Sequence, residues 1–151
     1  LIDESRVTPE FVRMVDQQLQ GTKVRKLLTV GGWGKSDAFA KVTADAKLRA
    51  RVIKELSALC DRYKLNGIDV DWEHPTGDEQ QQAYATFLEE LHQALAPKKR
   101  LVTVAIAPWK PLTPAALAAV DRIHLMAYDN GGRHSTLDLA FDSADKLLRQ
   151  G

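Results

Sequence analysis

Three carboxylic acids stand at every second position of one short segment: Asp69, Asp71 and Glu73. In a β-strand, alternate side chains share a face, so these carboxyls would line one face about 7 Å apart. The intervening residues are apolar and suit packing against helices. Neighbouring negative charge favours protonation of a carboxyl, so a proton can stay on Glu73 near neutral pH, with Asp71 supplying charge or sharing the proton. We therefore predict that Glu73 is a general acid that protonates a leaving oxygen.

Two other interpretations of the acidic segment are weighed against proton transfer. A solvated face on an edge strand would explain the acids, but the apolar flanking residues favour a central strand. A calcium loop of the EF-hand type needs Gly at its sixth position and Glu at its twelfth, and neither fits. An acidic metal cluster of another kind stays open.

The elements that must position these acids alternate along the chain. Strands are predicted over residues 24–30, 67–72, 101–106 and 123–128. Helices are predicted over residues 9–19, 45–63, 78–95 and 141–148, with the first starting at Thr8-Pro9 and a further short one at Thr113-Pro114. In the helix over 78–95, the residues expected to face inward are Tyr84, Phe87, Leu88, Leu91 and Leu95. Alternating strands and helices indicate a parallel α/β fold with active-site residues at the C-terminal strand ends. The pattern alone does not choose between a doubly wound sheet and a barrel.

Composition excludes several classes of partner. The 151 residues suffice for one domain, and 21 basic against 20 acidic residues give no reason to expect nucleic acid or a membrane surface. Gly31-Gly32-Trp33-Gly34 lacks the spacing of a dinucleotide-binding loop. The histidines show no metal-ligand spacing, so we predict no metal and no cofactor. The single cysteine, Cys60, is predicted to be a buried structural thiol.

Three motifs of the chain are similar to those of family 18 glycoside hydrolases. The segment N-G-I-D-V-D-W-E at residues 66–73 resembles the family signature DGxDxDxE. Thr29-Val30-Gly31-Gly32 resembles S-x-G-G, and Met126-Ala127-Tyr128-Asp129 resembles M-x-Y-D. The resemblance implies a (βα)8 TIM barrel, of which residues 1–151 would supply four βα units, strands three to six, as a partial catalytic domain.

The same resemblance implies an activity and a role for each matched residue. The activity is retaining, chitinase-like hydrolysis of β-1,4 bonds next to N-acetylglucosamine, in which the substrate's acetamido oxygen is the nucleophile. Glu73 matches the general acid and base, and Asp71 matches the acid that holds the acetamido N–H. Asp69 matches the buried acid beneath them, and Tyr128 matches the hydroxyl that positions the acetamido oxygen.

The resemblance further implies which residues line the sugar subsites. Met126, Asp129, Gly32 and Thr29 are expected at the substrate, and Trp33 is expected to stack on a sugar ring. The alternative for Trp33 is that it simply covers the rim of the barrel, and Trp109 could stack on sugar too. The sequence departs from the family at Thr29 (usually Ser), Asn66 (usually Asp) and His74 (often Tyr), which bears on substrate preference more than on catalysis. Thr29 keeps the hydroxyl that could bond Asp69.

Length is the largest departure, since a whole barrel takes roughly 250 residues. We expect the remaining strands to come from the same longer polypeptide or from another half, and the 151 residues alone to be inactive. The expected partner is an N-acetylglucosamine polysaccharide or oligosaccharide, and a secreted or cell-envelope location is expected for the parent protein. Alternatives that stay open are a non-catalytic, lectin-like barrel, a structural half-barrel without a sugar site, and an enzyme acting on N-glycans or peptidoglycan.

Overall fold

In the computed structural model of the chain, four strands alternate with helices as predicted. The structure describes residues 5, 7–110, 112–129 and 132–149. The elements in chain order are α1 Pro9–Gln18, β1 Leu27–Gly31, α2 Phe39–Ala44, α3 Ala46–Arg62, β2 Gly67–Asp71, α4 Gly77–Leu95, a 3-10 turn Ala96–Lys98, β3 Leu101–Ile106, α5 Pro114–Ala118, β4 Arg122–Leu125 and α6 Leu137–Leu148.

The strands form one parallel sheet in which spatial order follows chain order, β1-β2-β3-β4. Thr29 of β1 pairs with Asp69 of β2, and Asp69 pairs with Thr103 of β3. These three residues therefore lie side by side across the sheet. A doubly wound sheet would reverse the direction in which strands are added, whereas a barrel adds them in one direction only. The observed order therefore favours the barrel over the open sheet.

The hydrophobic core lies between the sheet and its helices. Ile68, Val70 and Trp72 point away from the carboxyls and are 0%, 0% and 5% exposed, as the alternation predicted. All five α4 residues predicted to face inward are buried: Tyr84, Phe87, Leu88, Leu91 and Leu95. The core thus fixes which face of β2 is left for the acids.

Side-chain caps set the starts of four helices. The Thr8 hydroxyl accepts the N–H of Phe11 at 3.2 Å, and one carboxyl oxygen of Asp45 accepts two backbone N–H groups at the start of α3. Thr113 and Thr136 cap α5 and α6 in the same way. The predicted starts at Thr8-Pro9 and Thr113-Pro114 are confirmed, because cap residues satisfy N–H groups that the helix leaves unpaired.

Several predicted boundaries were wrong. β1 begins at Leu27 rather than residue 24, because its neighbour β2 begins only at Gly67 and the Asn66 side chain bonds the Lys26 N–H instead. β4 ends at Leu125 rather than residue 128, since a tight turn joins the Ala127 N–H to the Leu125 carbonyl. Helix α6 starts four residues early, at Leu137, where Thr136 caps it.

The terminal helices leave their apolar faces uncovered. No residue of α1 is buried, and Phe11 is 52% exposed. In α6 only Ser143 is buried, and Phe141 is 71% exposed. Within the described part of the chain, no helix has the length and apolar character needed to cross a bilayer.

Candidate active site

The candidate site lies at the C-terminal end of β2, on the sheet face opposite the core. Asp69 lies within β2 and is 6% exposed, Asp71 is its last residue and is half-buried, and Glu73 follows two residues later. The Glu73 side chain is 12% exposed. The three acids therefore share one region, as the alternation predicted.

Asp69 is held by groups from the other three strands of the sheet. Thr29 of β1 donates its hydroxyl to Oδ2 at 3.2 Å, and the buried Thr103 hydroxyl of β3 donates to Oδ1. Nδ1 of His124, on β4, lies 3.1 Å from the same Oδ1. The predicted bond from Thr29 is confirmed. These contacts fix the orientation of the innermost carboxyl.

Asp71 has a different environment. Burial, then the charge of Glu73, then that of Asp69 raise its pKa to about 6. Its Oδ1 is buried and has no hydrogen-bond partner among the described residues. A buried acceptor without a donor costs about 1–3 kcal/mol, so this oxygen suits a donor brought by a ligand.

The loop after β1 clamps the end of β2. The N–H of Gly32 donates to the Asp71 carbonyl at 2.7 Å. The buried Ser36 hydroxyl accepts the Glu73 N–H at 3.1 Å and lies 3.2 Å from both the Gly32 and the Asp71 carbonyl. This loop therefore determines where the Glu73 backbone lies.

The two glycines of that loop permit close approach to Asp71. A Cβ on Gly31 would lie 2.2 Å from the Asp71 carbonyl oxygen and 2.7 Å from the Phe39 ring. A Cβ on Gly32 would lie 3.5 Å from Asp71 Oδ2, and both glycines have positive φ. Gly32 therefore borders the predicted site directly.

On the other side of Glu73, His74 and Trp109 form an aromatic pair. His74 Nε2 lies 3.9 Å from Glu73 Oε2, and the Glu73-His74 peptide bond is cis. The His74 and Trp109 rings meet edge to face at 6.2 Å. Trp109 is 62% exposed and Trp33 is 86% exposed, so both indoles are free to meet a ligand.

Tyr128 lies beyond the end of β4 in the field of the acids. Its pKa is raised, first by burial and then by the charges of Asp71, Glu73 and Asp129. The Tyr128 ring, 42% exposed, stacks on His134 at 5.5 Å. Asp129 turns outward with φ of 59° and lies 3.0 Å from His134 Nδ1. Met126, half-buried, continues the ladder by donating its N–H to the Ile106 carbonyl at 2.8 Å.

Behind the acids, an aromatic stack supports β2. Trp72 stacks on Phe39 at 5.3 Å and meets Tyr84 edge to face at 5.2 Å. The Tyr84 hydroxyl donates to the Val70 carbonyl at 3.4 Å. Burial, with the charges of Asp71 and Asp69, raises the pKa of Tyr84 and keeps it a neutral donor.

Sequence reasoning missed Ser36, Thr103 and His124 as members of this site. Thr103 and His124 carry a recognisable signal, since each is a polar residue in a strand that is otherwise mostly apolar. Ser36 carries none. Among the described residues, no three His, Cys, Asp or Glu side chains are grouped so that they could hold a metal ion.

A parallel α/β sheet whose strands follow chain order, with alternating acids at the C-terminal end of one strand, is typical of the barrel type of glycoside hydrolase. The chain belongs to a specific family of that class: the family model described as "Glycosyl hydrolases family 18" matches residues 3–145.

Relatives and solved structures agree with this assignment. Chitinase A1 from Niallia circulans is 30% identical over an alignment of 129 residues, which covers 72% of this chain and 18% of that protein. The Group IV chitinase of Ostrinia furnacalis has a TM-score of 0.84 at 22% identity, over 100% of this chain and 51% of that one. A mutant plant class V chitinase from Cycas revoluta, in complex with (GlcNAc)3, has a TM-score of 0.83 at 25% identity, over 98% and 51%.

These matches confirm the predicted family and the partial TIM barrel. The chain spans between 6% and 24% of the first three curated relatives that it matches, and about half of the two solved chains. The four parallel strands are therefore one part of the barrel that those structures contain.

Proposed function

We propose that residues 1–151 form part of the catalytic domain of a chitinase-like glycosidase, with Glu73 as its general acid and base. Family membership supports this proposal. The single observation that carries it is the row of three carboxyls, in which Asp69 is fully engaged while Asp71 has a pKa of about 6 and a free buried oxygen. Such a row combines one carboxyl that is fixed by hydrogen bonds with one that is more easily protonated.

The proposed reaction follows from these roles. Glu73 gives its proton to the glycosidic oxygen as the bond to the anomeric carbon breaks. The acetamido oxygen of the substrate attacks that carbon, and an oxazolinium ion forms. Asp71 Oδ1 accepts the acetamido N–H and stabilises the positive charge. Glu73, now a carboxylate, takes a proton from water as the water oxygen attacks the anomeric carbon. The bond from that carbon to the acetamido oxygen breaks, so the oxazolinium ring opens with net retention at the anomeric carbon.

The remaining predicted residues are proposed to hold the sugar. Tyr128 points its hydroxyl toward the acetamido oxygen; a tyrosine hydroxyl is protonated near neutral pH, and partial burial with the nearby acids raises its pKa further. Met126 and Asp129 line the subsite of the reacting sugar, and Gly32 and Thr29 border the acids. Trp33 offers an exposed indole face for the C–H face of a pyranose.

We propose N-acetylglucosamine oligosaccharides of the chitin type as substrates. The matched relatives are named chitinases, and the Cycas revoluta structure contains (GlcNAc)3. The buried Asp71 oxygen suits the acetamido N–H that such sugars present. The rest of the barrel is proposed to come from further chain or from a second polypeptide, because β1 and β4 are edge strands of the described sheet.

The test of this function is Glu73→Gln in the chain joined to the strands that complete the barrel. We expect kcat for a chromogenic N-acetylglucosamine oligomer to fall at least about 100-fold, as for loss of a general acid. Oligosaccharide binding, followed by tryptophan fluorescence, should persist. Glu89→Gln, on an exposed position of α4, is the matched control and should retain activity.

Three results would contradict the proposal in different ways. Undiminished hydrolysis by Glu73→Gln would remove Glu73 from the mechanism. Sugar binding without hydrolysis by the unmutated barrel would indicate a lectin-like protein. Absence of both would indicate a structural barrel without a sugar site.

A further inference from the structure

We infer that His124 is a positioning residue of this site, and that its Nδ1–H holds Asp69 in the orientation the other two acids require. The inference rests on the proposed function and goes beyond the three family motifs, none of which includes position 124. It is carried by the 3.1 Å distance between His124 Nδ1 and Asp69 Oδ1.

The contact completes a set of donors around one carboxyl. Thr29 donates to Oδ2, Thr103 donates to Oδ1, and His124 approaches Oδ1 from β4. A hydroxyl rotates and can also accept, whereas a ring N–H is a donor of fixed direction. Among these three groups, His124, whose side chain is 52% exposed, is therefore the one whose bonding atom acts only as a donor once Nδ1 carries a proton.

The plane of Asp69 matters because Asp69 acts on Asp71. The charge of Asp69 is one of the three causes that raise the pKa of Asp71, after burial and Glu73. Asp69 is 6% exposed, so solvent screens this interaction little. A carboxyl that rotated away would change the field at the free Oδ1 of Asp71, which is proposed to meet the acetamido group.

The geometry also fixes the form of the imidazole. Because Nδ1 faces a carboxylate oxygen, Nδ1 must carry a proton, and in the neutral ring Nε2 is then unprotonated. This assignment is testable without any activity measurement. It is also independent of the missing strands, since Asp69 and His124 both lie within the described sheet.

The first experiment is long-range ¹H–¹⁵N NMR of the 151-residue chain at about pH 9, where an imidazole is largely neutral. We expect His124 to carry its proton on Nδ1 and Asp69→Ala to abolish that preference. A signal from His124 with the proton on Nε2 in the unmutated chain would overturn the inference.

The second experiment measures hydrolysis in the completed barrel. His124→Leu should lower kcat about tenfold or more, the effect of losing a hydrogen bond to a charged group, with KM changed less than about twofold. His124→Asn should restore kcat to within about threefold, because the Asn amide nitrogen lies where Nδ1 lay. His124→Gln, whose amide lies one carbon further out, is the matched control and should stay low.

The outcomes separate this inference from the proposed function. If Glu73→Gln is inactive while His124→Leu keeps the kcat of the unmutated barrel, the positioning role is wrong and the function stands. If His124→Asn is as slow as His124→Leu, the donor is not the relevant property and the inference also fails. If Glu73→Gln remains active, the function falls, and the role of His124 in it falls as well.

Discussion

At the scale of single residues, burial and hydrogen bonding divide chemically identical groups into different roles. Asp69 and Asp71 are two positions apart on β2, yet donors from three strands surround Asp69 while Oδ1 of Asp71 has none among the described residues. Burial, then the charges of Glu73 and Asp69, raise the pKa of Asp71 from its ordinary 3.8 to about 6. One carboxyl is therefore held by hydrogen bonds, while the other is more easily protonated.

This difference predicts how stability depends on pH. The pKa of Asp71 is higher in the folded chain than in the unfolded chain, so protonation of Asp71 stabilises the folded chain. This stabilisation is fully present below about pH 4 and is lost as pH rises through about 6. Asp71→Asn removes the titration. Relative to the unmutated chain, it should gain about 1–2 kcal/mol in free energy of unfolding between pH 4 and pH 7.5.

Urea unfolding of both proteins at the two pH values measures this gain. Asp142→Asn, which changes an exposed carboxyl of α6, is the control and should show a smaller gain. An Asp71→Asn difference that is the same at both pH values would contradict the raised pKa.

Much of the site's chemistry could be predicted from single residues. Alternation placed Asp69, Asp71 and Glu73 together, and the hydroxyl of Thr29 was correctly expected to bond Asp69. His124 stands out as a polar residue in its strand, but its contact with Asp69 could not be predicted because that contact depends on strand register. The role of Ser36 could not be predicted because it depends on the path of a loop.

At the scale of elements, the loop between β1 and α2 determines the geometry of the acids on β2. Gly31, Gly32 and Ser36 contact the backbone at Asp71 and Glu73, which lie 35 or more residues further along the chain. The contact requires the backbones to approach so closely that position 31 has no space for a side chain. The glycine pair is therefore a structural requirement of the site.

Gly31→Ala should destabilise the chain by at least about 3 kcal/mol, since its Cβ would overlap the Asp71 carbonyl and φ is 101°. Gly34→Ala is the matched control: φ is 67°, but a Cβ would meet nothing within 4 Å. It should cost only about 1 kcal/mol, the strain of a left-handed backbone. Thermal unfolding measures both, and equal losses would show that steric overlap at position 31 is unimportant.

Elements were predicted best where side-chain signals mark their ends. The pairs Thr8-Pro9 and Thr113-Pro114 fixed two helix starts, and the apolar periodicity of α4 identified five of its six buried residues, all but Ala85. Helix α2 was missed because it has only six residues and its N-cap, Ala38, makes no side-chain cap bond. The premature end of β4 depends on a backbone turn that the apolar sequence pattern does not show.

At the scale of the whole molecule, the described sheet is open at both sides. β1 and β4 each pair with one neighbour, and large apolar side chains of the terminal helices are exposed, with Leu137 at 77% and Leu148 at 79%. Open parallel edges and uncovered apolar faces favour association with further strands and helices. Residues of β1 to β4 thus contact one another around the three acids, whereas the outer strands and the apolar faces of the terminal helices are uncovered in the described part of the chain.

We therefore expect the 151-residue chain alone not to hydrolyse a chromogenic N-acetylglucosamine oligomer, and to regain hydrolysis when the complementary strands are supplied. The physical reason is that a sugar bound on an open face keeps contact with bulk water, which weakens the electrostatic action of the acids on it. Hydrolysis by the isolated chain at the rate of the completed barrel would contradict this expectation.

The buried position of Cys60 makes its thiol a probe for the separation of α3 from β2. This side chain, the only cysteine, is completely buried with Sγ 3.9 Å from the Gly67 carbonyl at the start of β2, and burial raises the pKa of the thiol. A thiol reagent can reach it only when α3 separates from β2. The rate of Cys60 labelling in native buffer therefore measures how often α3 separates from β2, the strand that carries the acids. The rate can be compared before and after complementary strands bind.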